Sequence, residues 1–530
     1  MAEEHRSSYI PLLSIMILGL FLAILNQTLL NVAIPHLITE FNVTATTAQW
    51  LLTGYMLVNG VLIPLAAFLI ERFGIRRLFL SAMIFFTVGS LVCGMAPTFS
   101  ILLIGRLIQA VGGGVLMPLV MTIMLAVFPP EIRGKGMGIL GLALMFAPAI
   151  GPTLSGWVIE HYSWRVLFNG IAPLGVIVIV AAFVLLRDTT TPKKVPLDIP
   201  GTITSVIGVG SLLYGLSEAG SKGWSSAIVL TTLIIGVVMI AAFVVLQLNS
   251  TRPMLDFRIF KYDMFSLSSI VSVIVTVAMF SGMFLLPIYL QNLRGFTALE
   301  SGLLMLPGAV IMGIMSPISG TLFDKFGPRP LALIGMFITT VTTYEFTKLT
   351  LETSYSFILI IYMIRSFGMS FLMMPIMTAG LNQLPESKNS HGTSMSNTLR
   401  QVSGSLGISI FTTIFSTRTI THLNTFGEAA NTMNPSFSTS FQSLVQSIMA
   451  ETGASAAQAQ SQAAAALFGQ ASQQASILGL SDSFLWATGV AFVGFVLSFF
   501  LRDVRKDTTA KIEKVVPIED DRRKLGTGPA

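Results

Sequence analysis

Charge is what this chain has least of. Only 11% of its 530 residues are Asp, Glu, Lys or Arg, where a soluble domain carries about 25%, so most of its surface is not built to face water. Cysteine is almost missing: the single Cys93 excludes a disulfide framework and a thiolate metal cluster. The five histidines, His5, His36, His161, His391 and His422, are scattered near termini and loops. With no His–acid metal set and no nucleophile–base arrangement beside them, an enzyme is not expected. The first apolar run is too long for a signal peptide and lacks a small-residue cleavage site, so none is expected.

What the chain has in abundance is apolar sequence, 53% of the total. Runs long enough to cross a hydrocarbon core of about 30 Å recur at 10–33, 47–70, 78–96, 99–126, 136–159, 166–186, 201–218, 226–247, 265–290, 299–322, 330–348, 354–379, 393–417 and 483–501. The fold class predicted is therefore an all-α integral membrane protein of fourteen helices. The 46 Gly and 24 Pro suit such helices, because neighbouring helices satisfy the backbone groups they free. Basic residues set the orientation. With the N-terminus inside, the inner loops collect Arg72, Arg76, Arg77, Arg133, Lys135, Lys193, Lys194, Arg258, Lys325, Arg329 and the tail, while the outer loops hold Arg165, Lys222, Arg294, Lys348 and Arg418. That asymmetry places both termini in the cytoplasm. The net charge of +6 is thus a topology signal, and no nucleic-acid partner is implied.

The chain repeats itself. Residues 67–77 read AFLIERFGIRR and residues 320–329 read GTLFDKFGPR, each a tight polar turn between two apolar runs. IGRLIQAVGGGVLMP in the fourth run is echoed by MIRSFGMSFLMMP in the twelfth, and Arg106 and Arg365 are separated by nearly the same interval as Glu71 and Asp324. Two related halves follow: a six-helix bundle over 1–186, a linker with two inserted spans over 187–264, a second six-helix bundle over 265–501, and a tail over 502–530. The long outer segment 419–481 is rich in Ala, Gln and Ser, which predicts a weak helical hairpin, with a structureless loop as the alternative. Paired bundles moving against each other are the architecture of secondary transporters.

Three motifs carry chemistry. In the repeated turn, Glu71, Arg72, Gly74 and Arg76 correspond to Asp324, Lys325, Gly327 and Arg329. The acid at a helix end can accept hydrogen bonds from a neighbouring helix N-terminus or pair with Arg, which would lock a gate; the plainer alternative is a polar anchor. Arg106, with Gln109 one turn on, lies inside an apolar run, where a lone charge costs about 2.5–3.5 kcal/mol and so calls for a polar partner, or for snorkelling to an interface. The third is APAIGPTLSG over 147–156, whose small residues, Gly151 and Gly156 among them, permit close helix approach and whose Pro148 and Pro152 favour bending.

On these motifs the chain resembles the fourteen-span drug–proton antiporters of the major facilitator superfamily, and within them the lincomycin-resistance and multidrug exporters. Its turn matches the family pattern G-x-L-x-D-R-x-G-R-R, with Ala67 and Glu71 in place of Gly and Asp. Arg106 and Gln109 match R-x-x-Q-G, with Ala110 in the last place. Gly151, Pro152 and Gly156 match the antiporter pattern G-x-x-x-G-P-x-x-G-G. SWRVLF at 163–168, LDIPG at 197–201 and PIYLQ at 287–291 resemble family segments as well. The resemblance implies proton coupling through Arg106, a hinge at Gly151–Gly156, a proton gradient as the only energy source with no cofactor, small lipophilic substrates in the bilayer, and function as a monomer in a bacterial plasma membrane.

One departure matters. Most of that family has an Asp where this chain has Asn26, which cannot titrate, and no Asp or Glu lies near the middle of any span. A proton carrier must then come from acids at the edges: Glu71, Glu160, Glu218, Asp324 or Glu345, with Glu218 and Glu345 toward the outside. The substrate cavity is expected from Asn26, Gln27, Asn31, Asn59, Gln291, Arg365 and Asn397, amid Met residues that adapt to varied shapes. Amphiphilic, neutral or weakly basic substrates are the expectation, and transport of one specific physiological solute or lipid is the alternative.

Overall fold

The computed structural model describes residues 2–186, 198–429 and 435–503. The linker 187–197 and the tail beyond 503 lie outside the described residues, as do the side chains of Asn31 and Pro152. The described chain is helical throughout, in sixteen α-helices: α1 Ala2–Phe41, α2 Ala45–Phe73, α3 Ile75–Gly94, α4 Phe99–Val127, α5 Arg133–His161, α6 Arg165–Leu185, α7 Ile199–Lys222, α8 Ala227–Asn249, α9 Asp263–Ile288, α10 Ala298–Phe326, α11 Pro328–Glu345, α12 Tyr355–Ser370, α13 Met373–Leu381, α14 Asn389–Ala429, α15 Pro435–Thr452 and α16 Ala456–Ser498. Twelve helical stretches are long and apolar enough to cross a membrane, α12 and α13 counting as one. Helices α11 and α14 do not reach that measure, yet they pack at the expected places, α11 against α12 and α16, and α14 against α9 and α16.

Local chemistry sets the helix ends. Side chains of Thr44, Thr98, Asp198 and Ser354 each accept the backbone N–H three residues on, and Thr297 with Glu300 and Ser455 with Gln458 form reciprocal caps. Asp198 also accepts from Gln247 Nε2 at 2.5 Å, which ties the start of α7 to the end of α8. Helices α2 and α10 stop at Gly74 (φ 75°) and Gly327 (φ 80°), a backbone region costly for any other residue, and α3 and α11 start at once. The two copies of the turn thus share one unusual backbone shape.

One span departs from the expected form. The twelfth is two helices, α12 and α13, separated at Phe371–Leu372. Pro375 has no N–H to give the Phe371 carbonyl and its ring crowds it, so the helix resets before the proline. The outer segment is more helical than a weak hairpin. α14 and α16 run straight on past their spans, and α15 packs on α16 through Val445, Ala459 and Ala463. At 1.5 Å per residue, the 43 residues of α16 reach about 65 Å, roughly twice a hydrocarbon core.

Helices α1–α6 share one apolar core, which Met374, Met377 and Met395 of the other half join. Leu285, Phe346, Phe411 and Phe484 centre a core in α9–α16, and Val271, Met336, Leu372 and Ala491 a second. Apolar side chains also point outward in bulk, as with Phe183, Val184, Val237 and Val238, which suits a hydrocarbon solvent. The inserted helices α7 and α8 pair with each other, and α7 alone of the two also lies against α2 and α14. The most extensive helix pairing of all, α5 with α10, joins the first half to the second.

Candidate functional site

Both copies of the repeated turn reach across to the opposite half. Asp324, in the last turn of α10, accepts the backbone N–H of Gly134 (2.9 Å) and of Lys135 (2.8 Å) at the start of α5. A carboxylate here satisfies two N–H groups that the helix cannot pair for itself and faces the positive end of its dipole. Glu71, in the last turns of α2, lies 3.4 Å from His391 Nε2 in the first turn of α14. Each half therefore supplies an acid to a helix start in the other. Lys388 meets Asp256 at 3.1 Å, and the Asp256 N–H is directed at His391 Nδ1 (3.4 Å). Burial pushes the Asp256 carboxyl up, but the Arg258 N–H and Lys388 outweigh it and hold the group below its ordinary range. Arg133 donates to Asn382 Oδ1 at 3.2 Å, a further link between halves at this end.

The basic members of the turns do something different. Arg72 lies over the Phe68 and Phe73 rings, Arg76 donates to the Phe183 carbonyl (2.8 Å) and covers its ring, and Lys325 lies over Phe326. These contacts fasten α2, α3, α6 and α10 locally; Arg329 is exposed at the start of α11. Behind these contacts, α5 and α10 approach to backbone distance. A Cβ on Gly320 would overlap the Gly134 carbonyl oxygen, and one on Gly138 would lie 2.6 Å from that of Ser316. Thr122 and Thr393 hydroxyls meet at 2.8 Å, and Asn397 Nδ2 donates to the Thr393 carbonyl and lies 3.0 Å from Met121 Sδ, closing α4 on α14.

Arg106 does not snorkel. It is 0% exposed, and its Nη1 donates to Asn26 Oδ1 (2.5 Å) and Gln109 Oε1 (2.7 Å). Gln109 passes the chain on to Ser90 Oγ at 2.7 Å, and the guanidinium lies 4.4 Å over the Tyr55 ring. Nη2 of Arg106 and Nδ2 of Asn26 stay unbonded. The charge is thus balanced by neutral dipoles and an aromatic face, with no carboxylate among its partners. Arg365, its counterpart, is equally interior: it donates to the Ala278 carbonyl (2.7 Å) and Thr343 Oγ1 (3.4 Å).

The expected residues therefore separate. Asn26, Arg106 and Gln109 form one network, with Asn59 near it beside Gly113, where Tyr55 also packs. Gln27 is half-buried on α1. Arg365 belongs to the interior of the second bundle, bonded to its neighbours, and is not brought to Asn26; Gln291 is exposed at the end of the α9 segment and does not join a cavity with them. Glu218 pairs with Lys222 (2.7 Å) and Glu345 with Lys348 (2.8 Å), and neither touches Arg106. Gly151 packs on Thr28 and Gly156 on Leu299, so the small-residue stretch of α5 is wedged between α1 and α10. Sequence reasoning missed His391, Tyr55, Ser90 and Asn382. Only His391, a titratable group opening a helix just after the twelfth span, left a signal that could have been read.

A model of the Major Facilitator Superfamily matches residues 16–408. The chain is 61% identical to YhcA, an uncharacterized MFS-type transporter of Bacillus subtilis (strain 168), over 97% of this chain and 96% of that protein. It is 37% identical to the lincomycin resistance protein LmrB of the same organism, over 95% and 98%. Among solved structures, the human organic anion transporter MFSD10 superposes with a TM-score of 0.62 at 12% identity, covering 92% of this chain and 99% of that one, which supports the fold. By fold, motif and relatedness together, the chain belongs to the Major Facilitator Superfamily and is a multi-span membrane transporter of small molecules, not an enzyme.

Proposed function

We propose that this chain exports lipophilic drugs or antibiotics, lincosamide-like compounds among them, across the plasma membrane in exchange for protons by alternating access. The observation that carries the reading is the crossed pair of latches, Asp324 on the start of α5 and Glu71 at the start of α14. Contacts of this kind hold one end of a two-bundle transporter shut and must break for it to open. The latch end carries Arg72, Arg76, Arg133, Lys135, Lys325, Arg329 and Lys388, so by the distribution of basic residues it is the cytoplasmic end. Helix α15 then stands outside, and both termini lie inside. One chain contains both halves and both latches, which makes a monomer sufficient.

Asn26 leaves Arg106 without a titrating partner, so the proton is carried elsewhere. Of the two outward acids, Glu218 is the better carrier: its side chain is 17% exposed against 28% for Glu345, and α7 touches both α2 and α14, across the seam between halves. Arg106 and Gln109 then act as the fixed polar centre that senses the change. Proteoliposomes with an imposed pH gradient test this. Lincomycin or a lipophilic dye added to one side should drive proton movement, and Glu218→Gln should suppress it while Glu345→Gln does not. In cells, expression should lower drug accumulation and a protonophore should restore it. Unchanged accumulation across a broad drug panel would remove the export reading.

A further inference from the structure

Among the described residues, Arg106, Arg365 and Arg400 lie within helices well away from their ends, the first two buried and the third half-buried. The first two hold hydrogen bonds to neighbouring groups, as described above. Arg400 does not. Among the described residues, no hydrogen bond, ion pair or ring contact reaches its guanidinium. It sits eleven residues into α14, about 16 Å along the helix, and its side chain is half-buried. A charge in such a place is expensive unless something polar meets it.

What meets it is a narrow cleft between α9, α13 and α14 whose enclosed part is small, about 30 Å³, and which opens at its mouth. Ser268, Ser269, Ser272 and Thr276 of α9 and Ser396 of α14 line it beside Arg400, and Met373, Met377 and Leu399 form its apolar wall. Ser268 Oγ is buried there without a hydrogen-bond partner. The Thr276 hydroxyl already donates its proton to the Ser272 carbonyl, so it adds polarity to the cleft without a free donor. The site therefore has one fixed positive charge, an orphaned hydroxyl donor and further hydroxyls, against a soft apolar wall, with no carboxylate lining it.

We propose that this cleft binds the anionic head of an amphiphile, a carboxylate or phosphate, through Arg400 and the α9 hydroxyls, with the apolar body along Met373 and Met377. The planar guanidinium matches such an oxyanion bidentately, and the vacant Ser268 hydroxyl supplies a further donor. The inference rests on the transport reading above and adds amphiphilic acids to the neutral or weakly basic substrates expected there: acids are accepted by the second bundle, and permanent cations are repelled. A membrane-borne acid and a dissolved one share this chemistry.

The test is binding, without a gradient, to the full chain in nanodiscs. The probe is 1-naphthoate, with 1-naphthamide as the neutral isostere. In phosphatidylcholine discs the wild type should bind naphthoate at least about tenfold more tightly than the amide, as a hydrogen-bonded charge predicts. Arg400→Gln should equalise the two ligands, and Arg400→Lys should keep part of the preference. Amide binding and an unchanged melting temperature show that each variant is folded. Adding phosphatidylglycerol separates the sources: weaker naphthoate binding in the wild type alone means that a lipid headgroup occupies the site, and no effect means a free solute does. Equal affinity for acid and amide in the wild type, or a preference that survives Arg400→Gln, overturns the proposal. Because no export is measured, failure here leaves the drug-accumulation result standing, and failure there leaves this one.

Discussion

Replacing Asp324 by Asn should loosen the latch by an amount that the geometry sets. The carboxylate accepts two backbone N–H groups, at 2.9 and 2.8 Å, each from its own oxygen. Asn keeps one acceptor oxygen and turns an amide donor toward the other N–H, so one bond is lost and the charge facing the start of α5 disappears. A hydrogen bond to a charged group contributes about 1.5–3 kcal/mol, and the helix-dipole term adds about 0.3–1 kcal/mol. Asp324 is partly exposed, so solvent screening favours the low end, roughly 1.5 kcal/mol. That is about a tenfold shift of the closed–open equilibrium toward open. The chain carries one cysteine, Cys93, which is buried, so a Cys93→Ser protein accepts a single reporter. Ser319 on α10 is 0% exposed, one residue before the Gly320 crossing with α5, and Ser319→Cys becomes reachable only when α5 and α10 part. In inside-out vesicles, a membrane-impermeant maleimide should label Ser319→Cys about tenfold faster when Asp324→Asn is present. Equal rates with and without the substitution would refute the latch.

Gly320→Ala should act in the same direction and more strongly, since its Cβ would overlap the Gly134 carbonyl: the closed form is excluded, labelling at the latch end rises further, and transport stops. Transport at the wild-type rate would show that α5 and α10 need not meet. Asn26→Asp should give Arg106 a charged partner at the 2.5 Å contact; because that guanidinium is already buried, the purified protein should melt at a higher temperature, by the equivalent of about 1–3 kcal/mol, and a lower melting point would contradict the assigned network. The Asp256 carboxyl is held below the ordinary 3.8, so its contribution is present above that value and lost as pH falls through the lowered one. Melting temperatures of wild type and Asp256→Asn should therefore differ near neutral pH and converge in acid below about pH 4; a gap that widens in acid would reverse the sign.

The parts of this molecule that were legible in sequence are those where a single residue type answers a single local demand. Glycine at positions 74 and 327 ends a helix at positive φ, and its spacing from an acid in both halves is enough to find the two crossing contacts. Arg106 in an apolar run announces a polar partner, and Asn26 stood where a partner was needed. Apolar length is legible because it is additive along the chain, and twelve helical stretches reach the length and apolarity of a span; of the fourteen expected, α11 and α14 fall short, α14 because Ser, Thr and Asn fill the face it turns to other helices. What was not legible depends on which helix lies beside which. The same chemistry occurs in Arg365 and Arg400, yet one meets the Ala278 carbonyl and the other a hydroxyl-lined cleft, and no spacing within α12 or α14 distinguishes them. The assignment of Glu71 to α14 rather than α5 follows likewise from crossed packing: each acid, by reaching past its own bundle, makes the stability of one half's helix start depend on the position of the other half. That dependence is what the proposed gate would use, because neither cap can be kept while the bundles separate.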